Sequence, residues 1–123
     1  MHQAVLAAKA ASTDVLRIGS SGDAVHKAGE KVLIEHGYPV SRGTITDQPS
    51  IQHGTGHGIG LDVHEPILLD HDGGELLENE VFTIEPGLYG REVGGVRVED
   101  MLVVTNSSPR NLNQLHDGLN WDT

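Results

Sequence analysis

Three histidines and two glutamates carry the chemistry that this sequence could perform. His53, His57 and His64 fall in one segment, His53-Gly54-Thr55-Gly56-His57-Gly58-Ile59-Gly60-Leu61-Asp62-Val63-His64-Glu65-Pro66. Histidines at i and i+4 would share a helix face, but the alternating glycines there make a helix unfavourable. In an extended chain the two-residue repeat puts His53, Thr55 and His57 on one side. The glycines then leave the other side bare, so that a second backbone or a substrate can come close. His64 has the opposite parity and joins the other two only if the chain turns or bulges after Leu61. The plain alternative is three polar histidines in a glycine-rich loop.

Glu85 closes the apolar run Val81-Phe82-Thr83-Ile84 and precedes Pro86. A residue before proline is driven to extended geometry, which places Glu85 at a strand end. Glu99 lies inside the run Val96–Val104, on the same face as Arg97 and Met101. Burying a carboxylate there is costly unless it is paired or binds a metal. A salt bridge to Arg97 or exposure on a solvated face would serve equally. If the two runs pair, Glu85 and Glu99 could enter one cavity. One imidazole and two carboxylates suit a divalent transition metal, and bridging carboxylates permit two ions. Spacing does not decide between one and two. Asp70-His71-Asp72-Gly73-Gly74-Glu75 resembles a calcium loop but places Val81 where a bidentate glutamate is required, so it reads as a solvated acidic turn.

Elements that could position these groups follow from periodicity. Residues 2–17 predict a helix with Val5, Ala8, Ser12, Val15 and Leu16 near one stripe. A second helix spans roughly 22–36, capped by Ser20 or Ser21, with Val25, Ala28, Val32 and Leu33 as its apolar face and Gly37 as its stop. Strands are expected near 51–63, 80–85 and 96–105. The stretch from Pro86 to Gly95 reads as the long loop of a hairpin, and 106–123 as a polar tail or short cap. The pattern is that of one α+β domain. The 123 residues have a net charge of −10 and no cysteine. Such charge disfavours nucleic acid and anionic membranes, and any metal must use His, Asp or Glu. With no apolar run long enough to span a bilayer and no signal-peptide pattern, cytoplasm is the expected compartment.

In order and spacing, the segments His53–Pro66, Val81–Tyr89 and Gly95–Thr105 resemble the C-terminal motifs of the pita-bread metallopeptidases. Leu61-Asp62-Val63-His64-Glu65, Pro86-Gly87-Leu88-Tyr89 and Arg97-Val98-Glu99-Asp100 are most similar to the Xaa-Pro branch, prolidase and aminopeptidase P. The resemblance spans nearly the whole chain. It implies half of a pita-bread fold, two helices packed on a curved antiparallel sheet, with residues 1–123 as the C-terminal half of the catalytic domain.

By the same resemblance His57, Glu85 and Glu99 are metal ligands, and Glu85 also moves a proton. His53 and His64 position substrate and relay protons, and Arg97 holds the carboxylates. The implied cofactor is Mn, Co or Zn, a pair of ions in the complete fold and at most partial here. The family's two aspartate ligands belong to an N-terminal half, and no aspartate of this chain matches their motif. The implied reaction is hydrolysis of a peptide bond before proline through a metal-bound hydroxide, weak or absent in this chain alone. The implied partners are a proline-containing peptide and either a second copy or the missing half. A non-catalytic peptide-binding or self-assembling module is the alternative. Metal-free, creatinase-like chemistry fits less well, because both glutamates are retained.

Overall fold

The computed structural model describes residues 1–120. Helix α1 spans His2–Val15 and α2 spans Gly22–Glu35. Ser21 caps α2, its side chain accepting a hydrogen bond from the Ala24 N–H, and Asp23 lies in the first turn. Beyond α2, Gly37 takes φ 92°, a left-handed conformation that other residues adopt at a cost. The stripe of α1 buries Val5, Ala8, Ser12 and Leu16 as expected. On α2 the buried face is rotated from expectation: Val25, His26, Gly29 and Leu33 are buried, whereas Ala28 and Val32 are only half-buried. The rotation follows from close helix packing. A Cβ on Gly29 would lie 2.4 Å from Ser12 Oγ, and that hydroxyl donates to the Val25 carbonyl at 3.0 Å.

Seven short strands follow: β1 Gly56–Gly58, β2 Glu65–Leu69, β3 Val81–Ile84, β4 Gly87–Gly90, β5 Gly94–Arg97, β6 Asp100–Val103 and β7 Arg110–Asn111. They form a five-stranded sheet in the order β2-β1-β3-β6-β7 and a two-stranded sheet of β4 and β5. All pairings are antiparallel. The expected strand over 51–63 is confined to β1. The stretch 86–95 is not a loop, since β4 occupies most of its first half. The tail pairs through β7 as far as it is described; 121–123 lie outside the described residues.

The expected strand over 96–105 is real but interrupted. Ile84 faces Asp100 in the larger sheet and Gly87 faces Arg97 in the smaller, in one continuous register. A single long hairpin is thus interrupted at Glu85-Pro86 on one arm and Val98-Glu99 on the other. Pro86 has no N–H to donate, and the N–H of Glu85 is turned to the Thr55 carbonyl at 2.6 Å. Both glutamates sit where the ladder opens.

Two apolar clusters hold these layers. Leu16, Val25, Leu69, Leu76, Phe82, Ile84, Leu102 and Val104 form one. Ala4, Val5, Ala8, Leu33, Ile51 and Leu88 form the other. Between α1 and the sheet, Lys9 Nζ donates to Asp100 at 2.6 Å and to Asp117 at 2.8 Å. Burial alone would lower the Lys9 pKa, but these two carboxylates outweigh it and raise it. Asp100 also accepts from the Asn111 amide at 2.9 Å. The start of β6, next to Glu99, is therefore tied down from behind.

The bare face of β1 meets backbone. A Cβ on Gly56 would fall 1.8 Å from the Thr83 carbonyl oxygen, a contact that nothing flexible can relieve. Gly56→Ala is expected to cost about 3 kcal/mol or more by urea unfolding, the upper range for overpacking. The control is Gly74→Ala, whose Cβ would meet only Ile67 Cδ1 at 3.9 Å. It should stay within about 0.5 kcal/mol of the parent.

Candidate metal centre and substrate cleft

A cleft of about 500 Å³ is lined by His53, Gly54, Gly56, His57, His64, Leu68, Asp70, Glu85 and Arg97. Its centre is one pair. His57 Nε2 lies 3.0 Å from Glu85 Oε1, with both side chains mostly buried. The other ring nitrogen, Nδ1, lies 2.9 Å from the Gly58 carbonyl, which only accepts, so it carries the proton. If Nε2 carries no proton, its lone pair faces a carboxylate oxygen. Two acceptors at that distance call for a proton or a metal ion between them, so this donor set fits a divalent cation.

Thr83 organises the pair. Its hydroxyl accepts from the His57 backbone N–H at 3.1 Å and donates to Glu85 Oε1 at 3.0 Å. Thr83 is a signal that sequence reasoning missed; its place two residues before Glu85, on the same strand face, was the available clue. Arg97 stands across the cleft mouth, with Nε 3.7 Å from Glu85 Oε2 and 4.0 Å from Glu99 Oε2. The Tyr89 phenol, then the two carboxylates, raise the Arg97 pKa against the opposing effect of burial. Glu99 is exposed and lines an adjoining groove rather than the same cleft; Arg97 is common to both. The two glutamates are neighbours across the opened hairpin, bridged by one guanidinium.

The predicted histidines are brought together unevenly. The chain does turn after Leu61. β2 returns beside β1 with a register shift between His57 and Gly58. The His64 ring comes edge-on to His57, with centroids 4.6 Å apart. His53 reaches the cleft but is already engaged: Nδ1 donates to the Gly54 carbonyl at 2.7 Å, and Nε2 accepts from the Tyr89 hydroxyl at 2.7 Å. Tyr89 is a second residue that sequence reasoning missed. Thr55 departs from the expected parity. It turns away from the cleft, is 3% exposed, and its hydroxyl lies 2.9 Å from His26 Nδ1. The chain before Gly56 is irregular, so alternation does not extend back to it. The acidic turn is not merely solvated either, because Arg42 holds Asp70 through both guanidinium nitrogens and lowers its pKa.

Comparisons with known proteins bear on the family and the fold. The profile of metallopeptidase family M24 matches residues 1–106. The chain is similar to an Xaa-Pro dipeptidase of Pyrococcus horikoshii, at 31% identity over 91% of this chain and 30% of that one. Over a shorter span, 42% of this chain and 15% of the other, it is 55% identical to a putative Xaa-Pro aminopeptidase of Mycoplasma pneumoniae. The crystal structure of an X-Pro aminopeptidase from Thermotoga maritima superposes with a TM-score of 0.82 at 30% identity, covering 95% of this chain and 31% of that one. The helices and antiparallel sheet are thus those of the pita-bread fold. The chain spans about three-tenths of the length of the relatives it matches over most of its length.

Thr83→Val keeps the shape of the side chain and removes both of its hydrogen bonds. It should weaken divalent-metal binding by about 10-fold, the lower range for residues that orient ligands. Calorimetric titration with Mn(II), Co(II) and Zn(II) measures this, and circular dichroism checks that the fold is kept.

Proposed function

The chain belongs to metallopeptidase family M24, and from that premise we propose that it is the C-terminal half of an Xaa-Pro peptidase catalytic domain, with His57, Glu85 and Glu99 as metal ligands. The observation that carries this reading is the His57–Glu85 pair at the centre of the cleft. His57 Nε2 faces Glu85 Oε1 at 3.0 Å while its other nitrogen is committed to backbone. When bound, the divalent ions would polarise the scissile carbonyl and lower the pKa of a water molecule.

The chain's own residues do the rest. Glu85, fixed by Thr83 and by its backbone N–H to Thr55, is placed to hold a proton and pass it toward the leaving nitrogen of proline. Arg97 stands between the Glu85 and Glu99 carboxylates and holds them near each other, a role that bound ions would share. His64, exposed beside His57, can donate to a substrate carbonyl. His53 holds Tyr89 and the Gly54 backbone and so shapes the wall against which a peptide would lie. With the family's aspartate ligands outside this chain, activity should depend on a complementary half.

A second reading, a self-assembling or peptide-binding module, is favoured by one feature. Leu61 and Val63 stand fully or largely exposed on the loop that carries His64, and Leu68 is half-exposed in the cleft wall.

Two measurements test these readings. Elemental analysis after dialysis against Mn(II) should find less metal per chain in His57→Ala and in Glu85→Gln than in the parent. A metal content unchanged from the parent in both variants would remove the proposed ligand set. Hydrolysis of an Xaa-Pro dipeptide should be weak for the isolated chain and rise at least about 100-fold with a separately produced N-terminal half. Full activity in a strict monomer by light scattering would overturn the need for a complement. A stable dimer that binds proline peptides without cutting them would favour the module.

A further inference from the structure

Outside the cleft chemistry, α2 and the turn after β2 bring four ligand-type side chains to one point. His26 is 1% exposed. Its Nε2 lies 2.9 Å from Glu30 Oε2 and 3.7 Å from Asp70 Oδ1. His71 Nε2 lies 3.2 Å from the same Glu30 oxygen. The two imidazoles meet edge-on with centroids 4.6 Å apart. One ligand atom from each of His26, Asp70 and His71 fits within 4.8 Å of the others. A tetrahedral ion about 2.0–2.2 Å from each ligand sets its ligand atoms roughly 3.3 Å apart, and the His26–Glu30, His26–Asp70 and His71–Glu30 spacings are close to that. Two imidazoles with one or two carboxylates suit zinc and its neighbours in the first transition row.

We propose that His26, Glu30, Asp70 and His71 form a second divalent-metal site, of zinc type, that clamps the start of α2 to the turn 70–76. The frame around it is already built. The Gly22 N–H bonds the Gly74 carbonyl at 2.8 Å and the Leu76 N–H bonds the Ser20 carbonyl at 3.0 Å. The Asp72 N–H donates to Asp23 Oδ1 at 2.9 Å. Glycines 22 and 73 pack so closely that a Cβ on either would lie 2.2 Å from the Leu68 carbonyl oxygen. Ligands on such a frame need little ordering to bind. Burial pushes the His26 pKa down against the pull of Glu30 and Asp70, which favours the neutral ring that a metal takes.

Arg42 is the competing cation. It holds Asp70 by two hydrogen bonds and brings Nη2 to 3.4 Å from His26 Nε2. Its side chain is 35% exposed and stands between α2 and β1, on a segment without helix or strand, so it can withdraw. A metal would then replace one guanidinium as the partner of Asp70. The site also reaches the cleft. His26 Nδ1 meets Thr55 Oγ1, and the Thr55 carbonyl accepts the Glu85 N–H. An ion here would stiffen the strand segment that sets Glu85.

The test uses Zn(II) alone, added to the full chain carrying His57→Ala and Glu85→Gln so that the cleft ligands are gone. Calorimetry should still find one zinc per chain, Co(II) substitution should give visible absorption of a four-coordinate imidazole site, and the melting temperature should rise with zinc. Adding His71→Ala, a change at a half-exposed side chain that should leave the fold intact, should weaken zinc binding by about 100-fold. Arg42→Gln should strengthen it. No zinc bound in the cleft variant, or binding unchanged by both His71→Ala and Glu30→Gln, would overturn the site. If the cleft variant does not fold, His71→Ala in the parent chain decides. Loss of one zinc per chain supports the proposal, and unaltered stoichiometry and affinity reject it. Because the cleft ligands are absent or untouched in these comparisons, the outcome is independent of whether the cleft itself holds metal.

Discussion

The cleft depends on how closely a strand without side chains can approach its neighbour. At Gly56 the backbone lies against the Thr83 carbonyl with no room for even one carbon. That approach brings the Thr83 hydroxyl under the His57 N–H and onto Glu85 Oε1, and it leaves His57 Nε2 facing the carboxylate. The neighbouring residue works the same way. The Thr55 carbonyl takes the Glu85 N–H, drawing that residue out of the hairpin ladder at the point where Pro86 cannot donate. A side chain on Gly56 would separate the strands by an ångström or more. A misplacement of that size is what catalytic geometry tolerates least. The glycines therefore position His57 and Glu85 rather than merely loosen the chain.

Much of this was legible in the sequence, and the limits have physical causes. The two helices followed from apolar spacing, and the ends of the second from a cap at Ser20 or Ser21 and a stop at Gly37. The strand ending at Glu85 followed from β-branched content and from Pro86. The interruption at Val98-Glu99 was not legible, because Val96–Val104 has no breaker of its own; the break is imposed by Pro86 across the register. Thr55 obeyed no alternation because its side chain is claimed by His26, from a helix 29 residues earlier. His26 was not among the residues expected on the buried face of α2, since nothing local marks a buried imidazole. Asp70 read as solvent-facing because its partner Arg42 is 28 residues away. The last three are polar groups whose environments are fixed by distant partners, and local pattern carries no trace of them.

Charge is distributed with the same economy. Only eight lysines and arginines oppose eighteen acidic residues in the sequence. Three of those cations stand at the carboxylates that matter: Arg97 between Glu85 and Glu99, Lys9 beneath Asp100, and Arg42 on Asp70. Exposed pairs such as Lys31–Glu35 at 3.8 Å contribute little, since water screens them and side-chain ordering opposes them. Buried pairs are weak evidence for stability as well, because desolvation offsets much of their attraction. Their consequence here is geometric. Each holds a carboxylate at one position against the repulsion of an acidic chain.

The three cations differ in how firmly they are held, and the difference separates frame from working surface. Lys9 is 11% exposed, faces two carboxylates, and cannot leave without stranding the buried Asp100. Arg97 and Arg42 are 50% and 35% exposed and reach their carboxylates from the solvent side. A mobile guanidinium can yield its place to a more concentrated charge, whereas a buried ammonium cannot. A divalent ion brings twice the charge of a guanidinium in a smaller volume, so where carboxylates and imidazoles already converge it competes on favourable terms. At both clusters, the cleft and the α2 turn, the fold presents carboxylates anchored from within and covered from without by an exchangeable cation. That arrangement keeps the acidic groups ordered, and it would let an ion bind without rebuilding the frame.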